Sequence, residues 1–109
     1  MHVRTTRAIE REDPEDFGTA YYLEVEVDGA PKLLYLQGQY FDELEESVFP
    51  NTEFAVVRTL DTKALLDLQL LGQPFPPEKV LPAFAMADWR RGITPEDGDI
   101  LPGKLNDLT

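Results

Sequence analysis

Apolar and polar residues alternate along two stretches of the chain that flank a short acidic segment. In the first stretch, residues 22–27 alternate between two faces and are followed by Asp28-Gly29, a dipeptide typical of two-residue hairpin turns. Residues 32–37 form the predicted return strand, which is central because both of its faces are apolar. The predicted faces are Leu23, Val25 and Val27 against Tyr22, Glu24 and Glu26, then Leu34 and Leu36 against Leu33 and Tyr35.

The second stretch predicts another hairpin. Phe54, Val56 and Arg58 alternate with Ala55 and Val57, and a turn over residues 60–63 leads to a leucine-rich strand over residues 65–71. A first strand is also predicted over residues 3–10, with Val3 and Ile9 on one face.

The remaining segments have other periods. Tyr40, Leu44 and Val48 recur at helical spacing, which predicts a short helix over residues 39–48, with a bulged strand as the alternative. Six of the nine prolines lie between positions 74 and 102, so residues 73–84 are predicted to run extended over the sheet without joining its ladder. Residues 85–93 predict one helical turn, and residues 94–109 a flexible tail.

These elements predict one mainly β domain over residues 1–109, with its core in residues 18–93. About five antiparallel strands are expected in a twisted sheet or small open barrel, with one short helix and a proline-rich C-terminal wrap. A chain of 109 residues buries roughly 65% of its unfolded surface, enough for a core without disulfides or metals.

The net charge of the chain limits the classes of partner that it can bind. The chain has 21 Asp and Glu residues against 10 Lys and Arg, a formal net charge of −11. Such a chain repels nucleic acid and anionic membrane surfaces. The acidity indicates a solubility device, a basic partner or a salt-adapted proteome. No apolar run approaches the ~18 residues of a membrane span, and no signal peptide is evident. We expect a cytoplasmic protein, alone or as the soluble part of a membrane-associated one.

Catalytic chemistry has few candidate residues. There is no cysteine, which excludes thiol catalysis and cysteine-ligated zinc, and a lone Ser47 and a lone His2 make a catalytic triad improbable. Asp97-Gly98-Asp99 is similar to the start of a calcium loop but lacks the spaced glutamate, so an exposed acidic turn is favoured. Asp42 and Glu46 are spaced as a carboxylate pair on a helix, the pattern also of any solvated face. No metal or cofactor is expected.

Recognition is the remaining chemistry. Aromatic residues beside acidic ones are typical of grooves for basic or proline-rich peptides, although packing within the core explains the same residues. The candidate binding residues are Tyr22, Tyr35, Tyr40, Phe41, Trp89 and Arg90.

The order GQYFD, FPNTEF, LLDLQLLGQPFP, WRRG and DGD resembles an uncharacterised bacterial domain over residues 17–103. That domain is associated with the soluble part of small membrane-associated proteins of unknown role. The resemblance implies no activity and no catalytic residue, and it favours a regulatory or docking role. The chain departs from that setting because it contains no membrane segment.

We therefore expect a non-enzymatic protein-interaction or scaffolding module, with a protein partner or with self-association through an uncovered sheet edge. A small-ligand-binding barrel with Tyr22, Tyr35, Tyr40 and Trp89 at its mouth is the alternative. A carboxylate-based hydrolase is the third hypothesis.

Overall fold

The computed structural model of the chain describes residues 2–12, 18–38, 41, 48–60, 65–83, 95 and 97–108. The predicted helix over residues 39–48, the turn over residues 60–63 and the helical turn over residues 85–93 lie wholly or mostly outside this part of the chain. The described elements are β1 (His2–Arg4), β2 (Ala8–Arg11), β3 (Ala20–Val27), β4 (Ala30–Gln37), β5 (Glu53–Arg58), β6 (Leu65–Leu70), β7 (Val80–Leu81), β8 (Ile100–Pro102) and a 3-10 helix (Leu105–Leu108).

The fold is mainly β, as predicted, but its strands form two sheets. A three-stranded sheet has the order β1-β5-β6, and a five-stranded sheet has the order β7-β2-β3-β4-β8. All pairs are antiparallel except β2 with β7, which is parallel. The division into two sheets corrects the expectation of about five strands in a twisted sheet or small open barrel, and over the described residues neither sheet closes into a barrel.

The division into two sheets begins at Thr5, where the predicted first strand breaks. Thr5 is buried, and its hydroxyl oxygen lies 2.7 Å from the carbonyl oxygen of Glu24 and 3.0 Å from that of Arg7. These contacts offer the backbone an alternative to a continuous ladder. Consequently Val3 packs in one hydrophobic cluster and Ile9 in another, so the prediction that they share a face is wrong.

The first hairpin confirms the alternation seen in the sequence. β3 and β4 pair over their whole length, from Ala20↔Gln37 to Val27↔Ala30. Asp28 and Gly29 adopt positive φ angles of 52° and 80°, as a type I′ turn requires. β4 is a central strand because β8 pairs on its other side, also as predicted.

Each face of the β3–β4 hairpin contributes to a separate core. The core between the two sheets contains a cluster of aromatic rings, among them Phe49, which lies 4.9 Å from Tyr21 and 5.0 Å from Phe54 by ring centroids. We call it the inter-sheet core, formed by Val3, Ala8, Tyr21, Leu23, Leu34, Leu36, Phe41, Phe49, Phe54 and Val56. The outer core lies on the opposite face of the five-stranded sheet and is formed by Ile9, Ala20, Tyr22, Leu33, Tyr35 and Leu105.

The proline-rich segment does join a ladder, in contrast to the prediction. The segment pairs with β2 through donors and acceptors: the amide of Glu10 donates to Lys79 O at 2.9 Å, that of Glu12 to Leu81 O at 3.0 Å, and that of Glu78 to Ala8 O at 2.8 Å. None of these hydrogen bonds needs an N–H group from Pro77 or Pro82, so a short parallel strand fits between the prolines.

The segment interpreted as a flexible tail also carries structure. Ile100–Pro102 pair with β4 as strand β8, and Leu105 in the 3-10 helix is completely buried in the outer core. One leucine that fills a pocket is a weak signal in a polar, proline-rich and glycine-rich sequence. The burial of Leu105 is therefore a tertiary effect that local composition does not predict.

Candidate functional site

Two of the predicted binding residues, Tyr22 and Tyr35, lie together in the outer core. Their ring centroids are 5.1 Å apart in an edge-to-face arrangement, because the two residues are directly opposite in the β3–β4 ladder. Tyr22 is 3% exposed and Tyr35 is 0% exposed, so neither ring presents a face to solvent.

The phenol groups of this pair have partners within the protein. The Tyr22 hydroxyl accepts a hydrogen bond from Arg11 Nε at 3.1 Å, and the Arg11 guanidinium carbon lies 5.5 Å from the ring centroid. The Tyr35 hydroxyl donates to Gln37 Oε1 at 3.2 Å. Burial raises the pKa of Tyr35 well above its usual value, since the charged phenolate would be poorly solvated. This geometry is that of a satisfied core pair.

The other predicted binding residues do not join them in the described structure. Phe41 packs in the inter-sheet core, 5.0 Å from the ring of Tyr21, on the opposite face of the five-stranded sheet. Tyr40, Trp89 and Arg90 lie outside the described residues. The structure thus places the described part of the predicted aromatic set in two separate cores, and the binding role assigned to it stays a prediction.

A groove that the sequence analysis did not identify runs along β1. Two adjoining cavities of about 490 and 610 Å³ share Arg4, Val25 and Glu26. One extends toward Thr5 and Thr6, and the other toward His2. We call their union the β1 groove, lined by His2, Val3, Arg4, Thr5, Thr6, Glu24, Val25, Glu26, Val27, Gly29, Pro31, Leu34, Thr52, Glu53 and Ile100.

The His2 end of the groove has an apolar wall. Val25, Val27 and Leu34 come from the inter-sheet face of the β3–β4 hairpin, and Ile100 comes from β8, opposite Leu34 in the ladder. Val27 remains 38% exposed and Ile100 remains 49% exposed. The three-stranded sheet therefore covers this face only as far as its outer strand, β1.

A charged cluster borders the groove. Glu53 Oε2 lies 2.6 Å from His2 Nε2 and accepts a hydrogen bond from Arg4 Nε at 3.3 Å. The hydrogen bond with His2, followed by the contacts with Arg4, lowers the pKa of Glu53, although partial desolvation opposes this shift. Glu53 therefore already engages both basic side chains of β1.

The carboxylates of Glu24 and Glu78 meet across Arg7. Arg7 Nε donates to both oxygens of Glu78, at 3.1 and 3.2 Å, and its Nη1 lies 3.6 Å from Glu24 Oε2. The same Glu24 oxygen accepts a hydrogen bond from the backbone amide of Leu105 at 3.0 Å. Arg7 bridges the two carboxylates and compensates one of their two negative charges, so the arrangement is a structural ion-pair cluster.

The acidic turn at Asp97-Gly98 is held by protein groups. Asp97 Oδ1 accepts a hydrogen bond from the Gln37 amide at 3.0 Å, and Oδ2 accepts one from Arg58 Nη1 at 2.9 Å. Within the described residues no group of three or more metal-ligating side chains converges. The turn interpretation therefore accounts for the contacts that Asp97 makes.

The groove was missed because its only signal in the sequence is the short alternation of His2, Val3 and Arg4.

No helix in the described part of the chain is long and apolar enough to cross a membrane. The chain matches none of the protein-family models, characterised proteins or solved structures with which it was compared.

Proposed function

We propose that this chain is a non-enzymatic protein-interaction module. The observation that carries the proposal is the open edge of the three-stranded sheet. Over the described residues, β1 and β6 each pair only with the central strand β5, so each is an outer strand. An outer strand presents backbone donors and acceptors that pair readily with another chain.

Exposed apolar side chains near these edges support the proposal. On and after β6, Leu70 is 36% exposed and Leu71 is 54% exposed, and Val57 on β5 is 40% exposed. Beside β1, Val27 and Ile100 are exposed in the groove. Apolar surface at a strand edge gives a partner chain both backbone pairing and side-chain burial.

Charge suggests the chemistry of the partner. With a net charge of −11, the chain attracts basic segments and repels a second acidic copy at long range. We therefore place a basic protein partner first, with a proline-rich segment and self-association as the other interaction modes. We also propose a cytoplasmic location, for which the support comes from the sequence alone.

A small-ligand-binding role is the second candidate, and the size of the cavities favours it. Ligand pockets usually enclose about 300–1,000 Å³, and the two cavities of the β1 groove, at about 490 and 610 Å³, fall within that range. Both cavities are open along the β1 edge, a shape that suits an extended chain better than an enclosed molecule. The carboxylates predicted for the hydrolase hypothesis, Asp42 and Glu46, lie outside the described residues. Among the described residues, Glu24 and Glu78 approach each other but are bridged by Arg7.

The test combines self-association with partner capture. Sedimentation velocity over a range of concentrations at physiological salt measures self-association. Affinity capture with mass spectrometry identifies candidate partners, each of which must then bind again in purified form. A saturable complex of either kind supports the proposal. If neither appears, and a thermal-shift screen of small molecules instead finds a stabilising ligand, the second candidate replaces it.

A further inference from the structure

We propose that the β1 groove binds an extended, basic segment of a partner protein, which adds to β1 as a fourth strand of the three-stranded sheet. This inference rests on the proposed interaction function and names its surface and the chemistry of its partner.

The first step concerns the backbone of β1. The carbonyl oxygen of Glu53 accepts hydrogen bonds from the amides of Leu71 and Gly72, at 2.9 and 3.0 Å, so the backbone groups of Glu53 point away from β1. Arg4 is directly opposite Glu53 in the antiparallel ladder. Arg4 and Glu53 therefore form a non-hydrogen-bonded pair, in which the N–H and C=O groups of each residue point away from the other strand. The direction of these groups alternates along a strand, so those of His2 point the same way as those of Arg4, away from β5. The outer edge of β1 thus presents donors and acceptors to a new strand.

The second step is that the groove has the right length and position. It follows residues 2–6, which at ~3.3 Å per residue corresponds to an extended segment of about five residues. Its floor is the uncovered part of the five-stranded sheet, where Val27 is 38% exposed and Ile100 is 49% exposed. A strand paired with β1 would lie above these side chains and remove them from water.

The third step is charge complementarity. The residues that line the groove include Glu24, Glu26 and Glu53 together with Arg4, and His2 lies at one end. Glu53 already engages Arg4 and His2, and Glu24 lies 3.6 Å from Arg7 Nη1, so the charge match with a basic segment rests on Glu26 and on the net charge of −11. We infer apolar partner residues at the His2 end and a lysine or arginine near Thr5 and Thr6.

The same charges argue against a second copy as the occupant. Antiparallel pairing of two β1 strands would bring together two chains that each carry a net charge of −11. Chains with such a charge repel each other, which disfavours a second copy as the occupant.

The experiment uses a fluorescein-labelled synthetic peptide in which valine and threonine alternate and two lysines stand at one end. Binding to the full chain is measured by fluorescence anisotropy, and amide NMR maps the site. Two peptide controls separate the causes: glutamates in place of the lysines remove the charge match, and N-methylation of alternate backbone amides prevents strand addition. We expect saturable binding of the first peptide alone, weakened by added salt.

Three pairs of protein variants test the site. Arg4→Pro removes an outward-facing amide, which an edge strand tolerates, whereas Arg4→Ala keeps it. Ile100→Gln alters the groove wall, and Val80→Gln alters an equally exposed residue on β7, both being 49% exposed in the native chain. Glu26→Lys and Glu12→Lys change the net charge equally, but only Glu26 lines the groove.

We expect Arg4→Pro to weaken binding about tenfold relative to Arg4→Ala, the effect of losing one backbone hydrogen bond and its pairing. Ile100→Gln and Glu26→Lys should each weaken it about fivefold, with no change in their control variants. Circular dichroism checks that each variant is folded. If Arg4→Pro does not fold, the other two pairs decide the question.

Each outcome separates this inference from the proposed function. If a purified partner binds the chain but none of the groove variants changes its affinity, the groove assignment is wrong and the interaction function stands. If Arg4→Pro dissolves a dimer seen by sedimentation, the occupant is a second copy and the basic-segment assignment is wrong. If neither the peptide nor any partner binds and the chain does not self-associate, both proposals fail.

Discussion

Substitution of Leu105 by alanine tests whether the end of the described chain is part of the folded core. Leu105 is 0% exposed and packs in the outer core with Tyr22 and Tyr35. Two polar contacts hold it there: its amide donates to Glu24 Oε2 at 3.0 Å, and Arg7 Nη2 donates to the neighbouring Asn106 Oδ1 at 2.6 Å. These contacts fix the 3-10 helix against the sheet, so the side chain cannot easily be replaced by water.

The expected cost follows from this burial. Leu105→Ala removes three buried carbons, worth about 2.4 kcal/mol at about 0.8 kcal/mol each. The cavity left among the tyrosine rings raises the total to about 3 kcal/mol, near the lower end of measured leucine-to-alanine effects because a short helix can relax inward. With a urea m-value of about 1–3 kcal/mol/M, the unfolding midpoint should fall by about 1–3 M.

The assay is urea unfolding followed by far-UV circular dichroism, with Leu60→Ala as the matched control. Leu60 is 101% exposed, so truncating it should change the free energy of unfolding by no more than about 0.5 kcal/mol. If Leu105→Ala unfolds at the same midpoint as Leu60→Ala, then the segment does not stabilise the domain. The expectation of a flexible tail would be right in that case.

Three further predictions concern single residues. Gly72→Ala should destabilise the protein by about 1–3 kcal/mol, because the new Cβ would lie 2.8 Å from the amide nitrogen of Glu53. The control Gly29→Ala places its Cβ near no other atom and should cost only about 1 kcal/mol, because alanine disfavours the φ of 80° at this position; thermal unfolding compares the two variants. Glu53→Gln should lower the urea midpoint at neutral pH. Because the native pKa of Glu53 lies below its ordinary value of 4.5, this difference should disappear as the pH falls through the native pKa. Tyr35→Phe should lose less stability than the native chain as the pH rises above about 10, since a raised native pKa makes the folded state retain a proton that the unfolded state releases. Equal losses of stability in the two chains, measured by urea unfolding over this pH range, would contradict this prediction.

The parts of the fold that the sequence predicted are those set by local alternation. The two faces of the β3–β4 hairpin and its turn at Asp28-Gly29 follow directly from side-chain period and from positive φ angles. The second hairpin is confirmed for the same reason, with Phe54 and Val56 buried and Val57 exposed. In each case residues close in sequence determine the pairing.

The parts that the sequence did not predict depend on distant residues. A run from Val3 to Ile9 with alternating character fits one strand as well as two, and the chain breaks at Thr5, whose hydroxyl contacts the distant residue Glu24. Similarly, the pairing of β7 with β2 and the burial of Leu105 depend on surfaces that exist only after the sheet has formed. The position of the aromatic candidate residues could not be predicted for the same reason, since a tyrosine such as Tyr22 or Tyr35 suits a core as well as a groove.

The break at Thr5 also explains why the candidate site exists. Had residues 3–10 formed one strand, β1 would have continued β2 within the five-stranded sheet, and no outer strand would run beside the exposed side chains of Val27 and Ile100. Instead the break transfers β1 to the three-stranded sheet, which then stops one strand short of covering the hairpin. The incomplete cover and the open backbone edge are thus two consequences of one local change in direction. We therefore expect a segment that pairs with this edge also to cover the exposed side chains, as the proposed strand addition would.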